Sequence, residues 1–322
     1  MNIKIVNLRA FAIALVVLGH SIILYDPNWA SVFGYIAPKC GLLYLLKMWI
    51  NALQMPLFFS ISGYLYYYSI QKSINKKLFF VSKFKRLFIP FICFLFFWSD
   101  VIKIIFQVKG YQLIDIPKLL INHVQFLSLG HLWFLPTLLG IFVLSGLFVN
   151  NALTSKKIDV SFFSFVFILH IISRFATEKF LINNILFYFV FFYIGLLINK
   201  YKISQKNITL LSQLTFSCFT IFSWFLAIKV SHLFVFFTIV LLYIIIPART
   251  CRFVKLISKN SYGIYLIHSP LIYITYKYFS EASPLYNLLI NFILWGGFSL
   301  LITILLRKNG LYKLLGEKLK EK

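Results

Sequence analysis

The chain has 322 residues, 61% of them hydrophobic and only 12% charged, with a mean hydropathy of +0.87. A soluble domain carries about twice that charged fraction, which excludes a water-soluble globular enzyme. The formal net charge of +24 is first a membrane-topology signal, because a nucleic-acid-binding protein would cluster its basic residues on a folded domain.

Apolar stretches of roughly 18 to 25 residues recur along the chain, the length that crosses about 30 Å of hydrocarbon as a helix. They predict an all-α integral membrane protein with about ten transmembrane helices, near 6–25, 42–68, 87–106, 131–150, 160–174, 180–198, 208–228, 231–247, 261–279 and 285–306. The fifth is short, and little more than AIKVSHL separates the seventh from the eighth, so nine spans is the alternative. With both termini cytoplasmic, the inner segments collect Lys4 and Arg9, the cluster Lys72 to Arg86, Lys156 and Lys157, Lys200 to Lys206, Arg249 to Lys259, and the basic residues after position 306. That arrangement satisfies the positive-inside rule with an even number of spans and predicts a multi-pass plasma-membrane protein.

The first stretch, MNIKIVNLRAFAIALVVLGH, has the look of a secretory signal but lacks a small-residue cleavage site, so it is expected to remain as the first helix. Four cysteines fall in different segments without metal-ligand or disulfide spacing. No repeat or low-complexity linker divides the chain. A single transmembrane domain over 1–322 is expected, with no appended extracytoplasmic domain and no metal; no motif sets an oligomeric state.

Within NLRAFAIALVVLGHS (7–21), Arg9 and His20 stand eleven positions apart. At about 100° per residue that is three turns plus about 20°, so both side chains leave the same helix face, about 16 Å apart along the axis. Each has an ordinary explanation: Arg9 as a snorkelling anchor, His20 as an interhelical hydrogen bond. Sharing one stripe, they define a pathway with a cation at its mouth and an ionisable base farther in.

Other polar residues interrupt the spans. In QMPLFFSISGYLY (54–66), Pro56 is expected to break the helix, and Ser60, Ser62 and Gly63 permit close backbone approach, either for helix packing or around a cavity. KLFFVSKFKRLFIP (77–90) reads as a basic cytoplasmic loop ending in a helix-initiating proline, with Lys83 and Arg86 able to meet phosphates. GHLWFLP (130–136) places His131 and Trp133 at the outer interface, as belt residues or as a sugar-holding pair. In SYGIYLIHSP (261–270), Ser261 is the expected N-cap and His268 lies midway across.

Taken together, LRAFAIALVVLGH (8–20), PLFFSISGY (56–64), KFKRLFIP (83–90) and SYGIYLIH (261–268) resemble the acyltransferase-3 membrane proteins, which modify polysaccharides and lipids. HLWFL (131–135) is a fifth, weaker match. The resemblance covers essentially the whole chain, with the motifs in the family's order. It implies transfer of an acyl group, usually acetyl from cytoplasmic acetyl-CoA, to a hydroxyl of a glycan or its lipid-linked precursor. It also implies that the functional pair falls on Arg9 and His20 and the basic-loop arginine on Arg86. Many members carry an acidic residue three positions before the first arginine and a glycine just after it; here those positions hold Val6 and Ala10.

The chemistry requires a base, an oxyanion donor and a phosphate site. His20 suits the base, Arg9 with Arg86 and Lys83 the phosphates, and Ser60, Ser62 or a backbone N–H near Pro56 the oxyanion. His131, Trp133 and His268 are candidate acceptor contacts. The expected partners are acyl-CoA, the glycan acceptor and the bilayer, with no nucleic acid. A transporter or flippase of glycan precursors is the alternative; it would show topology repeats and paired acidic coupling residues, whereas only Asp100 lies clearly within a span.

Overall fold

The computed structural model describes residues 2–25, 40–73, 75–108, 111–112, 115–127, 129–149, 155–175, 181–203, 233–279 and 282–317. Among these residues all regular structure is helical, and the sequence explains most of the helix ends. Helix α1 (Ile3–Ser21) starts at Asn2, whose side chain accepts from the Lys4 N–H at 3.0 Å. Helix α2 (Gly41–Gln71) is the longest. Helix α3 (Lys76–Ile105) starts at Asn75, whose side chain accepts from the Leu78 N–H at 3.1 Å, and passes through a π turn at Leu95–Asp100.

The amphipathic helix α4 (Ile116–Val124) follows, and then a 3₁₀ turn at Gly130–Trp133 leads into α5 (Phe134–Leu144). Helices α6 (Lys156–Ser173) and α7 (Leu181–Lys200) pack on each other; Asp159 of α6 pairs with Lys200 of α7 and accepts from the Tyr193 hydroxyl at 3.3 Å. The chain continues with α8 (Leu233–Ile245), α9 (Arg252–Tyr278) and α10 (Pro284–Lys308), the last with a π turn at Ile290–Trp295. A 3₁₀ turn at Leu311–Leu315 follows.

Six of these segments are long and apolar enough to cross a membrane: α1, α2, α3, Gly130–Phe148, α7 and α10. The expected span at 208–228 lies outside the described residues. Three local expectations change. The stretch 77–90 is helix rather than loop. Its buried Phe79, Leu87 and Phe91 recur on one face, while Lys85 and Arg86 take the exposed one, so basic residues do not interrupt it. Pro90 accordingly lies inside a helix, and Pro56 also sits within a continuous α2. Ser261 is not an N-cap, because α9 begins at Arg252. His131 is buried within the protein.

Packing is closest where side chains are smallest. Helices α2 and α7 meet at Gly63 and Gly195, where a Cβ would fall 1.8 Å from the Phe192 and Ser60 carbonyl oxygens respectively. Backbones touch there, an approach that only glycine permits. Helix α1 packs between α2 and α9, and α9 against α10. The buried His123 of α4 meets the buried Asp100 of α3 at 2.8 Å.

Gly195→Ala is expected to cost about 1–3 kcal/mol by forcing α2 and α7 apart. Gly297→Ala, which meets nothing within 4 Å, should be neutral or slightly stabilising. Thermal unfolding of the two purified variants in detergent separates them; equal melting temperatures would refute the close-contact account.

Candidate active site

Helices α1 and α9 pair at two levels. At the lower level the Arg9 guanidinium donates from Nη2 to the Ser261 hydroxyl at 3.1 Å. At the upper level His20 Nδ1 and His268 Nε2 are 2.9 Å apart, with the two rings within 14° of parallel. Ser261 and His268 are seven positions apart, which returns them to one face of α9. The face carrying Arg9 and His20 on α1 thus opposes a matching face on α9.

The hydrogen bonds assign the tautomers. His268 Nδ1 lies 2.8 Å from the Ile264 carbonyl oxygen and 3.0 Å from that of Tyr265, both acceptors, so Nδ1 carries the proton. In the neutral ring, Nε2 of His268 is then an acceptor and receives the Nδ1–H of His20. That leaves Nε2 of His20 with a free lone pair, the form a general base requires. His268 is fully buried, whereas His20 retains accessible surface. The ring with accessible surface is therefore the one whose tautomer is fixed from behind.

His131 completes the cluster. Its ring lies edge-on to both others, with centroids 6.3 Å from His20 and 5.7 Å from His268, and its Nε2 donates to the Leu266 carbonyl at 3.2 Å. Tyr265 donates its hydroxyl to the His131 main-chain carbonyl. Trp98 of α3 reaches the same stretch of α9, donating its indole N–H to the Ile267 carbonyl at 3.0 Å. Among the described residues no group of three or more His, Cys, Asp or Glu side chains is disposed to hold a metal ion.

A family model described as an acyltransferase domain (Acyl_transf_3) matches residues 2–308. The chain belongs to this acyltransferase family. No curated protein and no solved structure matches it. Family membership and the apolar helices together make it a multi-pass membrane acyltransferase.

The remaining predicted residues of this acyltransferase divide into two groups. Arg86 joins the Arg9 level through its backbone, where its carbonyl accepts from the Tyr262 hydroxyl at 3.0 Å. Lys83, one turn away on α3, holds its ammonium over the Phe79 ring, 5.1 Å from the centroid. Ser60 donates to the Tyr243 hydroxyl at 3.3 Å and Ser62 to the Phe58 carbonyl of its own helix at 2.9 Å, so both hydroxyls are engaged in packing contacts. Trp133 stacks into an aromatic group with Tyr188 and Phe59, at 5.1 and 6.3 Å.

One cation near the histidines escaped the sequence reasoning. Lys47 of α2 is buried, and its ammonium donates to the Gly19 carbonyl at 2.7 Å, one residue from His20. The signal was visible as a lysine inside the apolar run GLLYLLKMWI; a buried intramembrane charge marks function more often than packing. Gln54, two turns along the same helix, lines the same side, where a Cβ on Gly19 would fall 2.7 Å from its Oε1.

His268→Ala is expected to lower acyl transfer about 10²- to 10⁴-fold while leaving membrane insertion intact, because His20 loses the acceptor that fixes its tautomer. Wild-type rates in a well-inserted His268→Ala protein would refute a role for His268 in orienting His20.

Proposed function

We propose that the protein is an O-acyltransferase of the plasma membrane, with both termini cytoplasmic and about ten spans. It moves an acetyl or other short acyl group from cytoplasmic acyl-CoA to a hydroxyl of a cell-surface polysaccharide or its lipid-linked precursor. The observation that carries the reading is the His20–His268 hydrogen bond, which leaves His20 Nε2 as an acceptor on the partly accessible ring.

In the proposed reaction His20 Nε2 takes the proton of the acceptor hydroxyl as its oxygen attacks the thioester carbonyl carbon. The imidazolium that forms keeps its Nδ1–H on His268 Nε2. Collapse of the tetrahedral intermediate breaks the carbon–sulfur bond, and the CoA thiolate leaves with the proton from His20. A base of this kind contributes on the order of 10²- to 10⁴-fold. Lys47, beside the Gly19 carbonyl, supplies a cation near the developing oxyanion, a role that Ser60 and Ser62 have no free hydroxyl to play. Arg9 and Arg86 take the donor's phosphates through charge-assisted hydrogen bonds, with Lys83 adding charge on the same helix as Arg86. His131, at the far side of the histidine cluster, is assigned to the acceptor.

Arg9 and His20 are separated along α1 by about 16 Å. That separation suits a donor whose phosphates and thioester lie at opposite ends of a long arm.

His20→Ala should abolish transfer of radiolabel from acetyl-CoA into base-labile glycan ester in membrane vesicles, and Arg9→Ala should raise KM for acetyl-CoA about ten-fold or more. Full activity in a correctly inserted His20→Ala protein would sink the mechanism. Absence of labelled glycan with every acyl-CoA and acceptor pool would return the flippase alternative to consideration.

A further inference from the structure

Three consecutive residues of α9, Asn260, Ser261 and Tyr262, project about 100° apart around the helix and so meet three different neighbours. The Asn260 side-chain oxygen accepts from Arg307 of α10. The Ser261 hydroxyl accepts from Arg9 of α1 at 3.1 Å, and the Tyr262 hydroxyl donates to the Arg86 carbonyl of α3 at 3.0 Å. One turn of α9 thereby gathers an arginine from each of three helices, and the Arg9 guanidinium lies within Coulombic reach of Arg86 and Arg307. Cations gathered this way repel one another unless an anion sits among them.

An anion is present. Glu317 accepts from Arg307 with both carboxylate oxygens, Nε to Oε2 at 2.9 Å and Nη2 to Oε1, in the two-pronged geometry that favours arginine over lysine. Glu317 also lies within Coulombic reach of Arg9. Its position is built into the fold. After α10 the chain turns back through the 3₁₀ segment Leu311–Leu315, whose Leu315 is fully buried. Gly316 then lies against α3 at φ +62°, where a Cβ would fall 2.4 Å from the Arg86 carbonyl oxygen. One carboxylate thus pairs with Arg307 and acts on Arg9, while its chain neighbour Gly316 lies against the Arg86 backbone.

We propose that Arg307 is a third arginine of the acyl donor's phosphate site, and that the Glu317 carboxylate is an internal counter-ion which the donor's phosphates displace. The proposal rests on the acyl-CoA reading above and deepens it. Donor binding becomes a competition between two anions for the same guanidinium, and only phosphate-bearing donors take part in it.

The test uses the purified full chain in lipid nanodiscs. CoA binding is measured by calorimetry, and acetyl transfer is compared between acetyl-CoA and S-acetylpantetheine, which has the thioester without phosphates. Glu317→Gln should tighten CoA binding about five-fold or more and lower KM for acetyl-CoA to match, with no change for S-acetylpantetheine. Arg307→Gln in the Glu317→Gln background should weaken CoA binding below that of the single variant, and Arg307→Lys should fall between. Unchanged or weaker CoA binding in Glu317→Gln, with wild type still binding CoA, overturns the counter-ion and leaves the donor reading standing. If neither wild type nor Glu317→Gln binds CoA, the donor reading falls and takes this proposal with it.

Discussion

The pairing of α1 with α9 is the contact on which the rest of the site depends. Two polar contacts, Arg9 to Ser261 and His20 to His268, lie at different depths of one helix–helix seam that is otherwise apolar. In hydrocarbon a polar side chain must find its partner inside the protein, so these contacts hold the two helices in one rotational setting. Helix α9 then orients its other neighbours. Its carbonyls fix the His268 and His131 tautomers and receive Trp98, and the turn at Asn260–Tyr262 meets α1, α3 and α10.

The arrangement separates two kinds of chemistry along one axis. Arginines collect at the level of Ser261 and imidazoles, with Lys47 beside them, at the level of His268, about 10 Å farther along the helix. A site of this form can hold a charged, elongated donor at one end and work on its uncharged reactive bond at the other. The family assignment and this geometry point in the same direction, since acyl transfer to a nucleophile is served by a positioned base.

The close contact at Gly63 and Gly195 serves the site indirectly. By locking α2 to α7 it sets where α2 presents Lys47 and Gln54 to the end of α1. Both reach the Gly19 region beside His20. Helix α3 is fixed at two points, with Tyr262 and Gly316 against the Arg86 carbonyl and the Asp100–His123 pair farther along.

The sequence by itself determined the class of the protein and most of its helices, because apolar length is a local property that membrane insertion reads directly. It also placed Arg9 and His20 on one face, since helical periodicity needs no partner. The same local rules misjudged Pro56, Pro90 and Ser261, where packing carries a helix through a residue that ends one in isolation. They also left Lys47 and Arg307 unassigned. What only the tertiary structure decided is which polar groups meet: that His268 backs His20, that Ser60 serves packing, and that one turn of α9 draws together arginines from three helices. Those contacts join residues up to 252 positions apart, and no periodicity within a single helix specifies the rotation at which two helices come to rest.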